Sequence, residues 1–548
     1  MNAKLKLLAV FSLIPVLAAC GAAASTPSLP SGISDPKSEG EVMAPPVRDS
    51  QPEYPQSYAS SPMPASTAVG SYPRDTSAPT PTPWPTEERA PTASLQPEGG
   101  GYPPNVNPFV DTYVDHLSTF ALDVDTASYA RARDALLGGR LPDPSSVRVE
   151  EFINYFDPGY SAPPDLAFAV YADGAPSPFH NDGSVLLRIG VQGYRVSDEE
   201  RKPLVLTFVI DVSGSMGSGN KLEMVKQTLG LLVDQLRPSD SVAIVAYSDW
   251  AWTALKPTNG YDHRRILKAI NGLYPTSSTN VEAGLRLGYE LAWSSFRPEA
   301  VNRVILCSDG VANVGNTSAA GILEYVHGYT ERGITLTAIG VGMGEYNDVL
   351  LEQLADRGDG NYAYVDTYEE ARRVMVDDLV STMQVIALDA KIQVDFNPDV
   401  VESYRLIGYE NRAVADSDFR NDSVDAGEIG AGHSAVAVYA VRFRHGAEGR
   451  IATIQLRWED PESHAVHEIN GNINTWDLAP SFEAASPHYQ LAAVVTQFAE
   501  ILRRSPWSSE GQLWMLDQKA YGLMESLAED GDVRELAQLI GIAERLMG

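Results

Sequence analysis

The chain has 548 residues, which is too long for one hydrophobic core and predicts several domains. Its 41 Lys and Arg residues against 72 Asp and Glu residues give a formal net charge of -31, which repels nucleic acid and acidic membrane surfaces and excludes nucleic acid as a favoured partner. The two cysteines, Cys20 and Cys307, lie in unlike contexts, so no disulfide framework is indicated.

The N-terminal residues have the pattern of an export signal. Lys4 and Lys6 precede an apolar run that is too short for a stable membrane span, and "LAAC" follows it. This resembles a bacterial lipoprotein signal at 1–19, with cleavage before Cys20 and a lipid on its thiol. A plain secretory signal is the alternative. We therefore expect a lipid-anchored protein of the bacterial cell envelope, either on the outer side of the cytoplasmic membrane or in an outer membrane.

Residues 20–202 divide into a tether and a first folded segment. The stretch 20–108 is rich in Pro, Ser, Thr and Ala and cannot bury enough apolar surface to offset its ordering entropy, so we predict a disordered tether. Residues 109–202 contain "STFALDVDTASYARARDALLGG", which predicts a strand and then a helix that is capped by Asp125 or Thr126 and ends at Gly138. The segment is interpreted as a small mixed N-terminal domain.

Residues 203–380 alternate unbroken apolar segments with amphipathic ones. Unbroken apolar strands between helices indicate a parallel sheet that is covered on both faces, which is an α/β doubly wound fold. In such a fold ligands bind at the carboxyl ends of the strands. The pattern predicts these five strands: Leu204–Ile210, Ser241–Ser248, Arg303–Ser308, Ile334–Val341 and Asn361–Val365.

Residues 381–548 predict a C-terminal β-sheet and helical domain. The segments "LDAKIQVDF", "VVESYRLIGYE", "SAVAVYAVRFR" and "RIATIQLRW" are typical of an antiparallel sheet or sandwich. From Pro487 onward the apolar residues recur at helical spacing.

The loop after the first central strand, "DVSGSMGSG", matches none of the enzyme templates considered. Gly214 and Gly219 have the spacing of a phosphate-binding loop, but Asn220 separates Gly219 from Lys221, and Leu222 stands at the magnesium-binding position. A nucleophile elbow would need glycine at Ser213. We therefore predict no catalytic residue here.

Oxygen ligands do have a suitable spacing in this loop. Asp211, Ser213 and Ser215 alternate, so their side chains point the same way in an extended segment, and such hard donors suit Mg²⁺ or Mn²⁺. One loop cannot complete an octahedron, and Thr279 and Asp309 are the candidates from other strand ends. Thr279 alone has an ordinary alternative, since "TNVE" fits a capping box.

These five residues, Asp211, Ser213, Ser215, Thr279 and Asp309, resemble the metal-ion-dependent adhesion site of von Willebrand factor type A domains. The resemblance implies strand order 3-2-1-4-5-6, which sets the strand before Asp309 beside the strand of Asp211. It also implies that a carboxylate of a partner completes the metal coordination. The sequences on either side resemble the flanking regions of a group of bacterial lipoproteins that carry this domain.

The expected function is therefore metal-dependent protein binding by a tethered adhesion or scaffold protein. Two alternatives remain open from the sequence. One is a metal-dependent hydrolase, for which no histidine or spare acid is evident in the three loops. The other is a structural envelope protein in which the ion only stabilises the fold.

Overall fold

The computed structural model describes residues 106–548, apart from 165, 181, 198, 311–318, 343–347, 379–382 and 425. The predicted signal, Cys20 and the tether as far as residue 105 lie outside the described residues. No helix in the described part of the chain is both long enough and apolar enough to cross a bilayer.

The segment before the central domain contributes four strands and two helices. In chain order they are β1 (Val110–Asp111), β2 (Leu117–Ala121), α1 (Ala127–Leu137), α2 (Val149–Asn154), β3 (Phe168–Pro176) and β4 (Val185–Gly193). Helix α1 ends at Gly138, as predicted, but the side chain of Thr126 makes no cap hydrogen bond. Thr126 therefore occupies the predicted N-cap position without a side-chain cap bond, and Asp125 lies 3.8 Å from Arg412.

The central segment forms a six-stranded sheet with helices on both faces. Its elements are β5 (Leu204–Asp211), α3 (Lys221–Val233), β6 (Ser241–Tyr247), β7 (Ala251–Asn259), α4 (His263–Asn271), α5 (Val281–Ser294), β8 (Val301–Ser308), α6 (Ala319–Thr330), β9 (Ile334–Val341), α7 (Asp348–Asp356), β10 (Tyr362–Val365) and α8 (Tyr368–Arg372). The strand order is β10-β9-β8-β5-β6-β7, which confirms the implied order 3-2-1-4-5-6. All neighbours pair in parallel except β7.

Two apolar layers enclose this sheet. Along β5, Leu206, Phe208 and Ile210 pack toward α3 and α4, while Val209 packs on the opposite face with Leu285 of α5. Cys307 lies on β8 and is fully buried, and burial raises the pKa of its thiol to about 12. The cysteine therefore behaves as a small core residue, as the sequence predicted.

The segment after the central domain supplies six strands and three helices. They are β11 (Val385–Phe396), β12 (Val401–Ile407), β13 (Gly427–Gly430), β14 (Ser434–Phe443), β15 (Arg450–Glu459), β16 (Val466–Asn474), α9 (Pro487–Leu502), α10 (Leu513–Ser526) and α11 (Gly531–Met547). The four long antiparallel strands and the helix beginning at Pro487 agree with the pattern in the sequence.

The two flanking segments share their sheets. One sheet has the order β1-β12-β14-β4-β3, and in the other β2 pairs with β11, which also pairs with β13 and β15. The sheets pack face to face over a common core, and α1, α2 and α9–α11 cover the far face of the first sheet. The sequence predicts two separate domains for these segments, whereas their strands form one β-sandwich into which the central domain is inserted.

Buried ion pairs join the sandwich to the central domain. Arg133 on α1 contacts Asp366 at the end of β10 and lies 3.0 Å from Glu370 on α8. Its guanidinium also donates to the Tyr155 hydroxyl at 2.6 Å. These contacts hold the flanking segments against α8, the last helix of the central domain.

Candidate metal site at the strand ends

The first part of the site lies where β5 ends. Asp211 is its last residue and is fully buried. The chain then turns through a short 3₁₀ segment, Gly214–Gly217, and the backbone N–H of Ser213 donates to Asp211 Oδ1 at 2.8 Å. This turn brings Ser213 and Ser215 to the same side, with their hydroxyl oxygens 3.0 Å apart.

Asp309 reaches the same place from the neighbouring strand. Strand β8 pairs in parallel with β5, with Cys307 opposite Ile210, so the residues that follow both strands meet at one edge of the sheet. The Ser215 hydroxyl donates to Asp309 Oδ1 at 2.8 Å. Four of the five predicted ligands are therefore linked by direct hydrogen bonds.

Thr279 lies in the loop that packs against this turn. The N–H of Gly214 donates to the carbonyl of Ser277 at 2.9 Å, and the N–H of Thr276 donates to Val212 at 2.7 Å. A Cβ at Gly214 would lie 3.4 Å from the carbonyl oxygens of Thr276 and Ser277, so the turn and this loop are in direct contact. Thr279 itself is buried in this loop.

The capping alternative for Thr279 is wrong. Asn280 caps α5, because its side-chain oxygen accepts from the N–H of Ala283 at 3.0 Å. Glu282 pairs with Arg286 one turn further along α5, at 3.0 Å. Thr279 therefore has no part in the capping that the sequence pattern suggested for it.

Three further residues, which the sequence did not predict, contact the predicted ligands. The Ser308 hydroxyl donates to Asp211 Oδ2 at 2.9 Å, and the Tyr247 hydroxyl lies 3.4 Å from the same oxygen. The Lys221 ammonium lies 2.9 Å from Asp309 Oδ2. The position of Ser308, one residue before Asp309, was the available signal, since residues at parallel strand ends become neighbours.

Burial dominates the electrostatics of the site. It raises the pKa of the Asp211 carboxyl, while hydrogen bonds from Ser213 and Ser308 act in the opposite direction. Burial also raises the pKa of the Tyr247 phenol, so this hydroxyl remains a donor. The hydrogen bonds from Ser213 and Ser308 orient the Asp211 carboxylate and favour its charged form.

The donor set fits a small divalent cation. It combines two carboxylates with hydroxyl groups, which are the hard oxygen donors that Mg²⁺ and Mn²⁺ prefer. The approach of Lys221 shows that Asp309 already attracts a cation. Within the described residues no three His, Cys, Asp or Glu side chains converge as a metal cluster, so a carboxylate-rich ion cage does not occur there.

Two sizeable cavities lie away from these strand ends. One, of about 550 Å³, borders Asn361 at the start of β10 and Arg195 and His433 of the sandwich. The other, of about 530 Å³, surrounds Arg412 and Asp356. Neither is lined by a predicted metal ligand, so the candidate site is separate from both cavities.

Family models match most of the described chain. The model "von Willebrand factor type A domain" matches residues 206–378, "Uncharacterized protein YfbK, C-terminal" matches 381–546, and "von Willebrand factor" matches 102–188. Protein YfbK of Escherichia coli (strain K12) is 33% identical over 467 residues, which is 80% of this chain and 80% of YfbK. The chain belongs to the YfbK-like family of von Willebrand factor type A domain proteins.

Two further matches are more distant. Human inter-alpha-trypsin inhibitor heavy chain H4 is 29% identical over 161 residues, which is 28% of this chain and 17% of that protein. A solved von Willebrand factor type A structure from Catenulispora acidiphila is 15% identical, covers 67% of this chain and 88% of its own, and has a TM-score of 0.39. Proteins with this domain typically serve adhesion or protein interaction, which is the broad class of the YfbK-like chain.

Proposed function

We propose that this YfbK-like protein is a lipid-anchored adhesion or scaffold protein of the bacterial envelope that captures an acidic side chain of a partner through Mg²⁺ or Mn²⁺. The observation that supports the proposal is the convergence of Asp211, Ser213, Ser215 and Asp309 at adjacent strand ends, with the Thr279 loop packed against them. The proposed ligands are these five residues, and Cys20 is the proposed lipid attachment. The proposal includes no catalytic residue.

The chemistry of the donors favours binding of an anion. Hydroxyl oxygens bring no formal charge to a metal ion, so two carboxylates leave a divalent ion less neutralised than a carboxylate-rich cage would. Such an ion attracts a further oxygen anion, and a protein carboxylate is the common source. This is the reason for proposing an acidic partner rather than a basic one.

Metal binding is the first test. Calorimetric titration of the folded chain with Mg²⁺ should show one site, and Asp211→Ala should abolish it because a buried anionic donor is lost. Asp234→Ala, at the exposed end of α3, is the matched control and should bind Mg²⁺ as the wild type does. Equal titration curves for all three proteins would overturn the proposed site.

Partner binding is the second step of the same test. The immobilised chain is incubated with envelope extract in Mg²⁺, in chelator, and after carboxyl groups in the extract have been methylated. Retention of a specific protein only in Mg²⁺, and only with unmodified carboxyl groups, is expected. Retention that is unchanged by chelator, together with a lower melting temperature in chelator, would instead make the ion a fold stabiliser.

Radiolabelled palmitate that is incorporated by the wild type and by Cys20→Ser alike would overturn the lipid anchor.

A further inference from the structure

Lys221 brings a positive charge into the candidate metal site. It is the first residue of α3, and its ammonium lies 2.9 Å from Asp309 Oδ2. The lysine side chain is 18% exposed and the Asp309 side chain only 2% exposed, so this pair is largely shielded from water. Asp309 therefore contacts two groups at once, because its other oxygen accepts from Ser215.

The fold holds the lysine in this position. Gly342, directly after β9, has φ +52, and a Cβ there would lie 3.1 Å from Lys221 Cε and 3.3 Å from Cγ. The lysine stem thus passes over a residue that has no side chain. The backbone N–H of Gly342 donates a hydrogen bond to the carbonyl oxygen of Val365 at 2.8 Å, which holds this part of the backbone in place. The backbone at the end of the sheet therefore leaves space for the Lys221 side chain beside Asp309.

The charges at the site lead to a specific role. Asp211 and Asp309 together carry two negative charges, which a bound divalent cation balances. Once the cation is bound, the positive charge of Lys221 is not balanced by either aspartate. We propose that Lys221 tunes the site by weakening its affinity for the metal ion and strengthening its affinity for an incoming carboxylate. This inference rests on the proposed function and specifies how the same site is regulated.

Both effects follow from the same contact. The ammonium repels a cation and draws electron density from Asp309 Oδ2, so the metal ion is bound less tightly. An anion that approaches the bound ion is attracted by the lysine as well, which matters in a chain with a net charge of -31. Removing the lysine should therefore change the two affinities in opposite directions.

The experiment uses the full chain and three lysine variants. Lys221→Met removes the charge and keeps the apolar stem, and Lys221→Arg keeps the charge. Lys226→Met is the matched control, since Lys226 lies on the same helix and pairs with Glu223 at 3.2 Å. Mn²⁺ binding is followed by electron paramagnetic resonance, and acetate is the carboxylate probe, with its displacement of water from bound Mn²⁺ read as a fall in proton relaxation enhancement.

We expect Lys221→Met to bind Mn²⁺ roughly tenfold more tightly and acetate roughly tenfold more weakly than the wild type. Lys221→Arg and Lys226→Met should resemble the wild type in both measurements. Unchanged affinities in Lys221→Met, or a joint loss of Mn²⁺ and acetate binding, would overturn the role of Lys221. Failure of the wild type to bind Mn²⁺ at all would instead overturn the proposed function, so the two failures are distinguishable.

Discussion

At the scale of single residues, the site depends on how Asp211 is held. The backbone of Ser213 donates to one of its oxygens, and the hydroxyls of Ser308 and Tyr247 face the other. Replacing a residue that orients a metal ligand commonly weakens metal binding by about 10- to 100-fold. Ser308 is therefore expected to matter although it is not one of the five proposed ligands.

Ser308→Ala should weaken Mg²⁺ binding about tenfold, because Asp211 loses a hydrogen bond that orients it. Calorimetric titration measures the change. Ser294→Ala, an exposed serine at the end of α5, is the control and should leave the affinity unchanged. A variant at Ser308 with wild-type affinity would show that the remaining donors suffice to orient Asp211.

The sequence predicted that Asp211, Ser213, Ser215 and Asp309 lie close together, but it did not predict the residues around them. Asp211, Ser213 and Ser215 lie within one turn, so their grouping follows from local geometry. Lys221 was considered only as a residue that fails to match a phosphate loop, because its contact with Asp309 spans two strand ends and depends on Gly342. Such contacts require the strand register, which a single sequence does not contain.

At the scale of elements, the prediction succeeded where burial is uniform. Strand β9 was predicted with the bounds that it has, and β5 to within one residue, since both are continuous apolar runs. Strand β7 was missed, because "AWTALKPTN" contains Pro257 and polar residues, as suits an antiparallel edge. Helix α8 changes at Arg373 to a π-helix, Arg373–Asp378, where Arg373 pairs with Glu370 and lies over the ring of Tyr155.

The packing of α9 on the sandwich depends on one buried ion pair. Glu500 Oε2 lies 2.9 Å from the guanidinium of Arg405 on β12, and both side chains are almost fully buried. Burial alone would raise the pKa of Glu500, but Arg405 and Arg503 lower it below its ordinary value. The pair is therefore charged and has little access to water.

Glu500→Gln should lower the free energy of unfolding by about 3–5 kcal/mol, because it leaves the buried charge of Arg405 without its anion. Urea unfolding followed by circular dichroism measures the loss. Glu525→Gln, on the exposed face of α10, is the control for removing a helix glutamate and should change little. A loss at Glu500 no larger than that at Glu525 would contradict the importance of this pair.

At the scale of the whole molecule, the chain leaves the sandwich for the central domain and then returns to it. Lys391 of β11 is paired with Ala121 of β2, and Val438 of β14 with Arg188 of β4, across the entire central domain. Pairing over such distances leaves no local trace in the sequence, so the flanking segments were predicted as separate domains. Their composition predicted strands correctly but could not show which strands become neighbours.

A fragment of residues 381–548 should therefore fail to fold by itself, because β11 and β14 would each lack a neighbouring strand and the shared core would be open. Its urea unfolding curve should show no cooperative transition. Addition of a fragment of residues 106–202 should restore strand content by circular dichroism. Cooperative unfolding of the C-terminal fragment alone would contradict the shared sandwich.

The inserted arrangement also affects how the molecule responds to proteolysis. The N–H of Lys202, where the chain enters the central domain, donates to the Gln384 side chain near the exit at 3.2 Å, so both connections start from the same place. A protease that cuts one connection leaves the central domain attached by the other and by the contacts of Arg133. A nicked chain should consequently elute at the size of the intact one, and the two pieces should separate only in denaturant.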